Sequence, residues 1–355
     1  MDDIRIAIMG GWNTDSGASF HCEMIGKAFV ELGYKLNVFT FFSDSFHGTN
    51  ITGIDEDYVI RCYTVSSDKK QQLNAIPFVT GDYNYFIVED LGMLPKNLLA
   101  KIFNRIRKKG KTINVIHDGK LTDDPSFYQF EWDAFVAFDE RYYEFLVRSY
   151  DKDKVRIIPY PAHPMKRGDK SAARKKLGIP QDRKIVLTFG PAAGLAAKLI
   201  PTIAKLEDEF PLRILAVTKN REALNLISAL KSSEIMDIEI REEAPDIDKL
   251  YEYLHASDVL LINKPGIGHV VVSSTIYQCM GSGCPIVALY SPFTELMGDS
   301  IIKFTNNREL LAGLTSVFNK DDRYRTLVIE TEKFVAENSS IEVAKKFIEM
   351  FKTLK

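Results

Sequence analysis

Two doubly wound α/β domains are what this sequence predicts, and three observations carry that reading. The chain opens with an apolar run, Ile4–Met9, that passes through Gly10-Gly11-Trp12 into a helical stretch, 18–32, and a second apolar run, 35–40. Strand, glycine loop, helix, strand is the opening of a βαβ fold. Residues 258–295 hold a second such unit: the apolar run Val259–Ile262, the loop Lys264-Pro-Gly266-Ile-Gly268, a helix, and a strand at 285–289. Third, 355 residues with 45% hydrophobic and 26% charged side chains are material for two soluble domains, each of about 150–180 residues.

Within the first domain, the loop after the opening strand reads Gly10-Gly11-Trp12-Asn-Thr-Asp15-Ser16-Gly17, and Gly33 closes the helix that follows. It is not the GxGxxG pattern of dinucleotide binders. His21 lies on this helix, facing either solvent or core. Residues 41–84 are polar with scattered aromatics and predict variable loops with one strand near 58–63. A strand at 85–88 ends in Glu89-Asp90, and 96–109 reads as a basic amphipathic helix running on to Lys111. Such a face suits water or an anionic lipid surface. The strand 112–116 delivers His117-Asp118-Gly119, and polar residues at the carboxyl end of a parallel strand lie in the ligand crevice of α/β sheets. A strand at 133–137, a helix at 139–148 and a strand at 155–159 complete the domain before Pro159-Tyr-Pro161-Ala-His-Pro164 interrupts regular structure.

The second domain begins with a strand at 185–189 and the loop Gly190-Pro-Ala-Ala-Gly194. Lys219 follows a strand at 212–217, again at a carboxyl end. A strand at 236–240 and a helix at 247–256 lead into 258–295, where Ser273, Ser274 and Thr275 supply N-cap hydroxyls and Gly281 and Gly283 mark the helix end. A helix start there would offer free N–H groups and a positive dipole end to an anion such as a diphosphate. A strand at 301–304 and helices at 308–318, 322–336 and 340–354 follow, the last with an apolar stripe of Val343, Phe347, Met350, Phe351 and Leu354.

Gln278-Cys-Met280-Gly-Ser-Gly283-Cys-Pro285-Ile-Val287, with Glu295 beyond it, resembles the donor-binding core of retaining, family-4-type glycosyltransferases of the GT-B fold. The entry at Arg174-Lys-Lys-Leu177-Gly178-Ile-Pro180, the first glycine loop and His117 resemble the same family, whose element order matches nearly the whole chain. The resemblance implies two Rossmann-like domains facing a cleft: 1–162 on the acceptor side, a linker at 163–183, a nucleotide-sugar domain at 184–337, and a last helix, 338–355, crossing back to the first domain. It implies a UDP- or GDP-sugar donor, a saccharide or lipid-linked acceptor, and neither cofactor nor metal.

Residue by residue, the resemblance puts His117 and Asp118 at the reacting centre. Gly10, Gly11, Asp15, Ser16 and Gly17 fall on the acceptor and phosphate loop. Gly190, Lys198, Lys219, Lys264, Gly266, Gly268, His269, Ser273, Ser274, Gln278 and Glu295 fall on the donor side. Four positions depart from the family pattern. Val270 and Gln278 stand where it has glutamates seven residues apart, and Pro191 and Ala196 stand where it has an Arg/Lys diphosphate clamp. Glutamine can still hydrogen-bond a ribose diol, whereas valine offers nothing polar.

These departures leave three readings: a glycosyltransferase, a catalytically degenerate nucleotide- or sugar-binding module or partner subunit, and a different GT-B branch, toward which Lys264-Pro-Gly-Ile-Gly268 leans. With 46 basic against 48 acidic residues, no net positive field points to nucleic acid. Four cysteines (22, 62, 279 and 284) show no CxxC spacing and read as buried thiols of a reducing compartment. No leader and no apolar run of membrane-spanning length is visible, so the expected location is cytoplasmic, with peripheral membrane contact through 96–111 as an added option.

Overall fold

The computed structural model describes residues 3–14, 16–45 and 51–354. It divides into two compact units: Met1–Pro161 with His269–Ser274 and Asn338–Lys355, and Ala162–Gly268 with Thr275–Glu337.

The first unit is built on seven strands: β1 (Arg5–Met9), β2 (Lys35–Phe41), β3 (Val59–Tyr63), β4 (Tyr85–Glu89), β5 (Lys111–Val115), β6 (Ala134–Ala137) and β7 (Val155–Ile157). Their order is β3-β2-β1-β4-β5-β6-β7, and every pairing is parallel. The chain winds outward from β1 and then returns to β4 beside it. The crevice at the carboxyl ends of β1 and β4 is therefore the topological switch point, where open α/β sheets bind ligands. Helix Gly17–Glu31 connects β1 to β2, and Ser16 caps it by accepting from the Ser19 amide. The terminal helix Ser340–Thr353 packs on the Gly17–Glu31 helix through its predicted stripe. Phe347 meets Phe29 edge-on at 6.1 Å, and the Phe351 ring stacks on Tyr85 at 4.3 Å.

The second unit has six parallel strands: β8 (Lys184–Phe189), β9 (Leu212–Val217), β10 (Ile238–Arg241), β11 (Val259–Ile262), β12 (Ile286–Leu289) and β13 (Ile302–Phe304). Their order is β10-β9-β8-β11-β12-β13, so this sheet's switch point lies between β8 and β11. Both strands are short, almost wholly apolar runs covered on both faces, as central parallel strands are.

Part of the stretch expected as linker is helical. Lys170–Leu177 forms a helix with Asp169 as its N-cap and Gly178, at φ +69°, ending it. That helix is held by Arg174, only 4% exposed, whose guanidinium reaches Asp258 Oδ2 at 2.7 Å and the Ala256 carbonyl at 2.8 Å. Three other segments are helical without a clear periodic signal: Ile76–Thr80, Ala193–Ala197 and Ile200–Ile203. Each is one to two turns long, too short for a 3.6-residue repeat to show. The basic helix ends at Arg107, and Leu99, Ile102, Phe103 and Ile106 are its buried face.

Candidate functional site

At the first switch point, the glycine loop after β1 is shaped by what lies behind it. A Cβ on Gly10 would stand 2.7 Å from the Glu89 Cβ, so only glycine lets β1 end this close to the end of β4. The Gly10 carbonyl accepts from the Tyr63 hydroxyl at 2.9 Å, and its amide donates to the Phe39 carbonyl at 3.1 Å. Next along the loop, Trp12 is fully buried and donates from Nε1 to Glu56 Oε2 at 2.8 Å. Its ring fills the space that Gly26 leaves in helix Gly17–Glu31, where a Cβ would fall 2.8 Å from the indole. Gly26→Ala should therefore destabilise the unit by about 1–3 kcal/mol through overpacking, read as a shift of the urea midpoint. Asn13 follows at φ +52°, and Asp90, directly after β4, stands at φ +53°. Two left-handed non-glycine residues on loops flanking one crevice are backbone strain of the kind that collects at functional sites.

Glu89 ends β4 with its carboxylate fully buried, and two imidazoles close on it. His117 Nε2, at the carboxyl end of β5, hydrogen-bonds Glu89 Oε2 at 2.8 Å; His21 Nδ1, from the Gly17–Glu31 helix, lies 3.0 Å from the same oxygen. Burial alone would raise the Glu89 carboxyl, but the neighbouring imidazoles overcome it and hold the group down at about 2. Burial lowers His21, whereas His117, against the same penalty, is raised by its hydrogen bond to Glu89. The Glu89 bond occupies Nε2 of His117, so a ligand would meet the ring through Nδ1. Beside His117 and Asp118 is a cavity of about 30 Å³ walled by Leu91, Phe127, Tyr128 and Tyr150. Asn114 also lines it, and its buried Oδ1 has no hydrogen-bond partner among the described residues.

Asp118 itself is exposed, and Gly119 passes directly beneath the Val270 carbonyl and the His269 ring, where any Cβ would overlap them. Residues 269–274 thus pack with the first unit, although the sequence grouped His269, Ser273 and Ser274 with the donor side. Ser274 lies against Gly17, with its Oγ 3.0 Å from where a Gly17 Cβ would be. The Ser16 hydroxyl is occupied as a helix cap, and Gly17, whose carbonyl accepts from Tyr160, is the first residue of that helix. Gly11 lies against Ser19, and Asp15 is outside the described residues.

In the second unit the two switch-point loops are tied together. Gly190, at φ +72°, turns the chain after β8 and accepts from the Thr218 hydroxyl at 2.9 Å. Asn263, just past β11, donates from Nδ2 to the Leu195 carbonyl at 2.7 Å. Lys264 follows. Its ammonium donates to Thr275 Oγ1 at 3.1 Å and lies 5.5 Å from the centre of the Phe293 ring. Among the described residues no carboxylate pairs with it, and burial lowers its pKa. Gly266 packs beside Pro292, and Gly268 takes φ +80°, so both glycines serve the loop's path. Gln278 is half-buried on the short helix Ser274–Met280, and Glu295 opens a 3₁₀ turn. Lys198 and Lys219 are exposed.

The basic stretch 96–111 is engaged largely with the protein itself. Arg107 pairs with Glu131, Lys111 lies 3.8 Å from Asp133, and Lys109 donates to the Val79 and Gly81 carbonyls. No helix among the described residues is long and apolar enough to cross a membrane.

The arrangement of two parallel α/β sheets is shared by known structures over the whole chain. A glycosyltransferase from Rickettsia africae matches with a TM-score of 0.65 at 14% identity, covering 100% of this chain and 99% of its own. Sucrose-phosphate synthase from Thermosynechococcus elongatus matches with a TM-score of 0.66 at 14% identity, covering 99% of both chains. The fold is GT-B. A third GT-B match is the pneumococcal O-GlcNAc transferase GtfA in complex with UDP and GlcNAc, with a TM-score of 0.65 at 10% identity, covering 100% of this chain and 99% of that one. No family model matches the sequence.

Glu89 and His21 are residues of this crevice that the sequence alone did not assign. Each carried a signal. Glu89 is a charge at the end of a wholly apolar strand, and His21 falls in step with Ala18, Ile25 and Ala28 on the buried face of its helix.

Proposed function

We propose that this chain is a glycosyltransferase that takes a sugar from a nucleoside-diphosphate donor held on the second unit. The observation that carries this reading is Lys264: a half-buried ammonium that no carboxylate pairs with among the described residues, at the switch point of a parallel sheet, on a loop opened by two glycines. A cation drawn partly out of water is costly unless an anion meets it, and a diphosphate is the anion this fold's neighbours suggest. UDP is the first candidate, since the pneumococcal match is a UDP complex. In the proposed reaction the acceptor oxygen bonds the anomeric carbon and the carbon–diphosphate bond breaks. Charge develops on the departing diphosphate, where a preorganised cation in a low-dielectric setting acts most strongly. His117, steadied by Glu89, is the residue proposed nearest the reacting carbon, with Asp118 beside it and a saccharide or lipid-linked acceptor on the first unit. Retention of anomeric configuration belongs to the same reading.

Val270 and Gln278 favour a rival, a nucleotide-binding subunit without transfer. One experiment separates the two. Calorimetry with UDP, GDP and ADP tests binding, and product analysis with the matching sugar conjugates and simple saccharide acceptors tests transfer. The expected result is saturable binding of one nucleotide diphosphate together with turnover of its sugar conjugate. Binding without turnover supports the subunit; no binding by any nucleotide removes the donor site.

A further inference from the structure

Nothing in the proposed transfer uses the full arrangement around Glu89, and its atoms are only partly accounted for by hydrogen bonds. His21 and Glu89 have fully buried side chains, and that of His117 is 12% exposed. His117 Nε2 bonds Glu89 Oε2, but His21 Nδ1 approaches the same oxygen at 3.0 Å without the alignment a hydrogen bond requires. Among the described residues both His21 nitrogens and Glu89 Oε1 lack a hydrogen-bond partner while fully buried. Rings of Phe138 and Tyr160 lie 5.2 and 5.0 Å from the His21 ring, so its surroundings are largely aromatic. His21 Nδ1 and Glu89 Oε2 face each other at 3.0 Å, and a cation held by both would make that approach attractive.

We propose that His21, Glu89 and His117 form a binding site for one divalent first-row transition-metal ion. One ligand atom from each lies within 4.8 Å of those of the other two. An ion with bonds of about 2.0–2.2 Å to nitrogen and oxygen holds neighbouring donors about 2.8–3.1 Å apart at right angles and about 3.3–3.6 Å apart in a tetrahedron. The Glu89 contacts to the two imidazoles, 2.8 and 3.0 Å, are close to the lower separation. Two imidazoles and a carboxylate suit zinc, iron, cobalt or manganese and are a poor match for calcium or magnesium. The donors come from three elements: the Gly17–Glu31 helix and the ends of β4 and β5. A bound ion would lock these together behind the Gly10 turn and hold the His117 ring by Nε2. With three protein donors, a further coordination position remains, and His117, the exposed member, marks the entry side. This site lies wholly in the first unit and shares His117 and Glu89 with the glycosyltransferase reading, an ion on His117 Nε2 taking the place of the proton shared with Glu89.

The test uses the full chain, stripped with chelator and titrated with Co²⁺ and Zn²⁺. Cobalt is followed by its visible d–d absorption and zinc by calorimetry. The expected result is one equivalent of Co²⁺ giving d–d bands, displaced by one equivalent of Zn²⁺. Glu89→Gln and His21→Gln, checked for native circular dichroism, should each bind at least tenfold more weakly. No stoichiometric binding by the wild-type chain overturns the proposal, and so does unweakened binding by both folded variants. UDP calorimetry on the same samples reads the second unit separately, so failure of either site is visible without the other.

Discussion

Lys264→Ala should weaken binding of the nucleoside diphosphate by roughly 30-fold to several thousand-fold. That range corresponds to the 2–5 kcal/mol lost when one partner of a buried, hydrogen-bonded charge pair is truncated. The expectation rests on what surrounds the ammonium. Thr275 supplies one oxygen at 3.1 Å, the Phe293 ring lies beside it, and no described carboxylate competes for its charge. Its folded-state pKa is lowered by burial, so loss of the charge should stabilise the unliganded protein while removing the anion site. That opposite movement of stability and affinity marks a residue kept for binding. Lys264→Arg should recover little, because a guanidinium fork is broader than an ammonium and the loop is tight at Gly266 beside Pro292. Lys198→Ala and Lys219→Ala serve as controls. Both side chains are exposed, and each should change the dissociation constant by no more than a few-fold. Equal losses in all three variants would mean that a diffuse positive field, rather than Lys264, attracts the ligand.

The contrast among these lysines also separates what the sequence carries from what only folding supplies. Buried parallel strands announce themselves as apolar runs, and β9 and β11 have the ends their composition implies. The glycine loops were legible for the same reason, since Gly190 and Gly268 take backbone angles that other residues avoid. Which cation is drawn partly into the protein was not legible: Lys198, Lys219 and Lys264 each follow a strand, loop or breaker and look alike in one dimension. Nor was the meeting of His21, Glu89 and His117, which lie 68 and 28 residues apart in sequence and touch only because the chain returns from β3 to a place beside β1. The stretch 269–274 shows the same limit. Its neighbours on both sides belong to the second unit, and only the backbone passage of Gly119 beneath Val270 reveals that it packs with the first.

Arg174→Ala should cost about 3–5 kcal/mol, because it leaves a largely buried carboxylate without its main guanidinium partner. Asp258 is a junction of the second unit. Its Oδ2 accepts from Arg174 at 2.7 Å and from the Ile185 amide at 2.7 Å, while Oδ1 receives Lys170 at 2.9 Å. One side chain thereby joins the Lys170–Leu177 helix, the start of β8 and the start of β11. Burial alone would raise the Asp258 carboxyl, but Lys170, the Ile185 amide and Arg174 together hold it below its usual value. The sign of the pH dependence follows. A carboxyl depressed in the folded state contributes its full stability above the unfolded value of about 3.9, and that contribution is lost as pH falls through the lower folded value. Urea titrations of wild type and Asp258→Asn across pH 7 to 3 should therefore converge on acidification, with the variant less stable at neutral pH and flatter toward acid. Lys170→Ala should show a smaller version of the same pattern, since its ammonium is 43% exposed and partly screened. A gap between wild type and Asp258→Asn that stayed constant down to pH 3 would assign the loss to packing instead of charge. Arg174 would then act as a spacer, through its bonds to the Ala256 and Gln181 carbonyls.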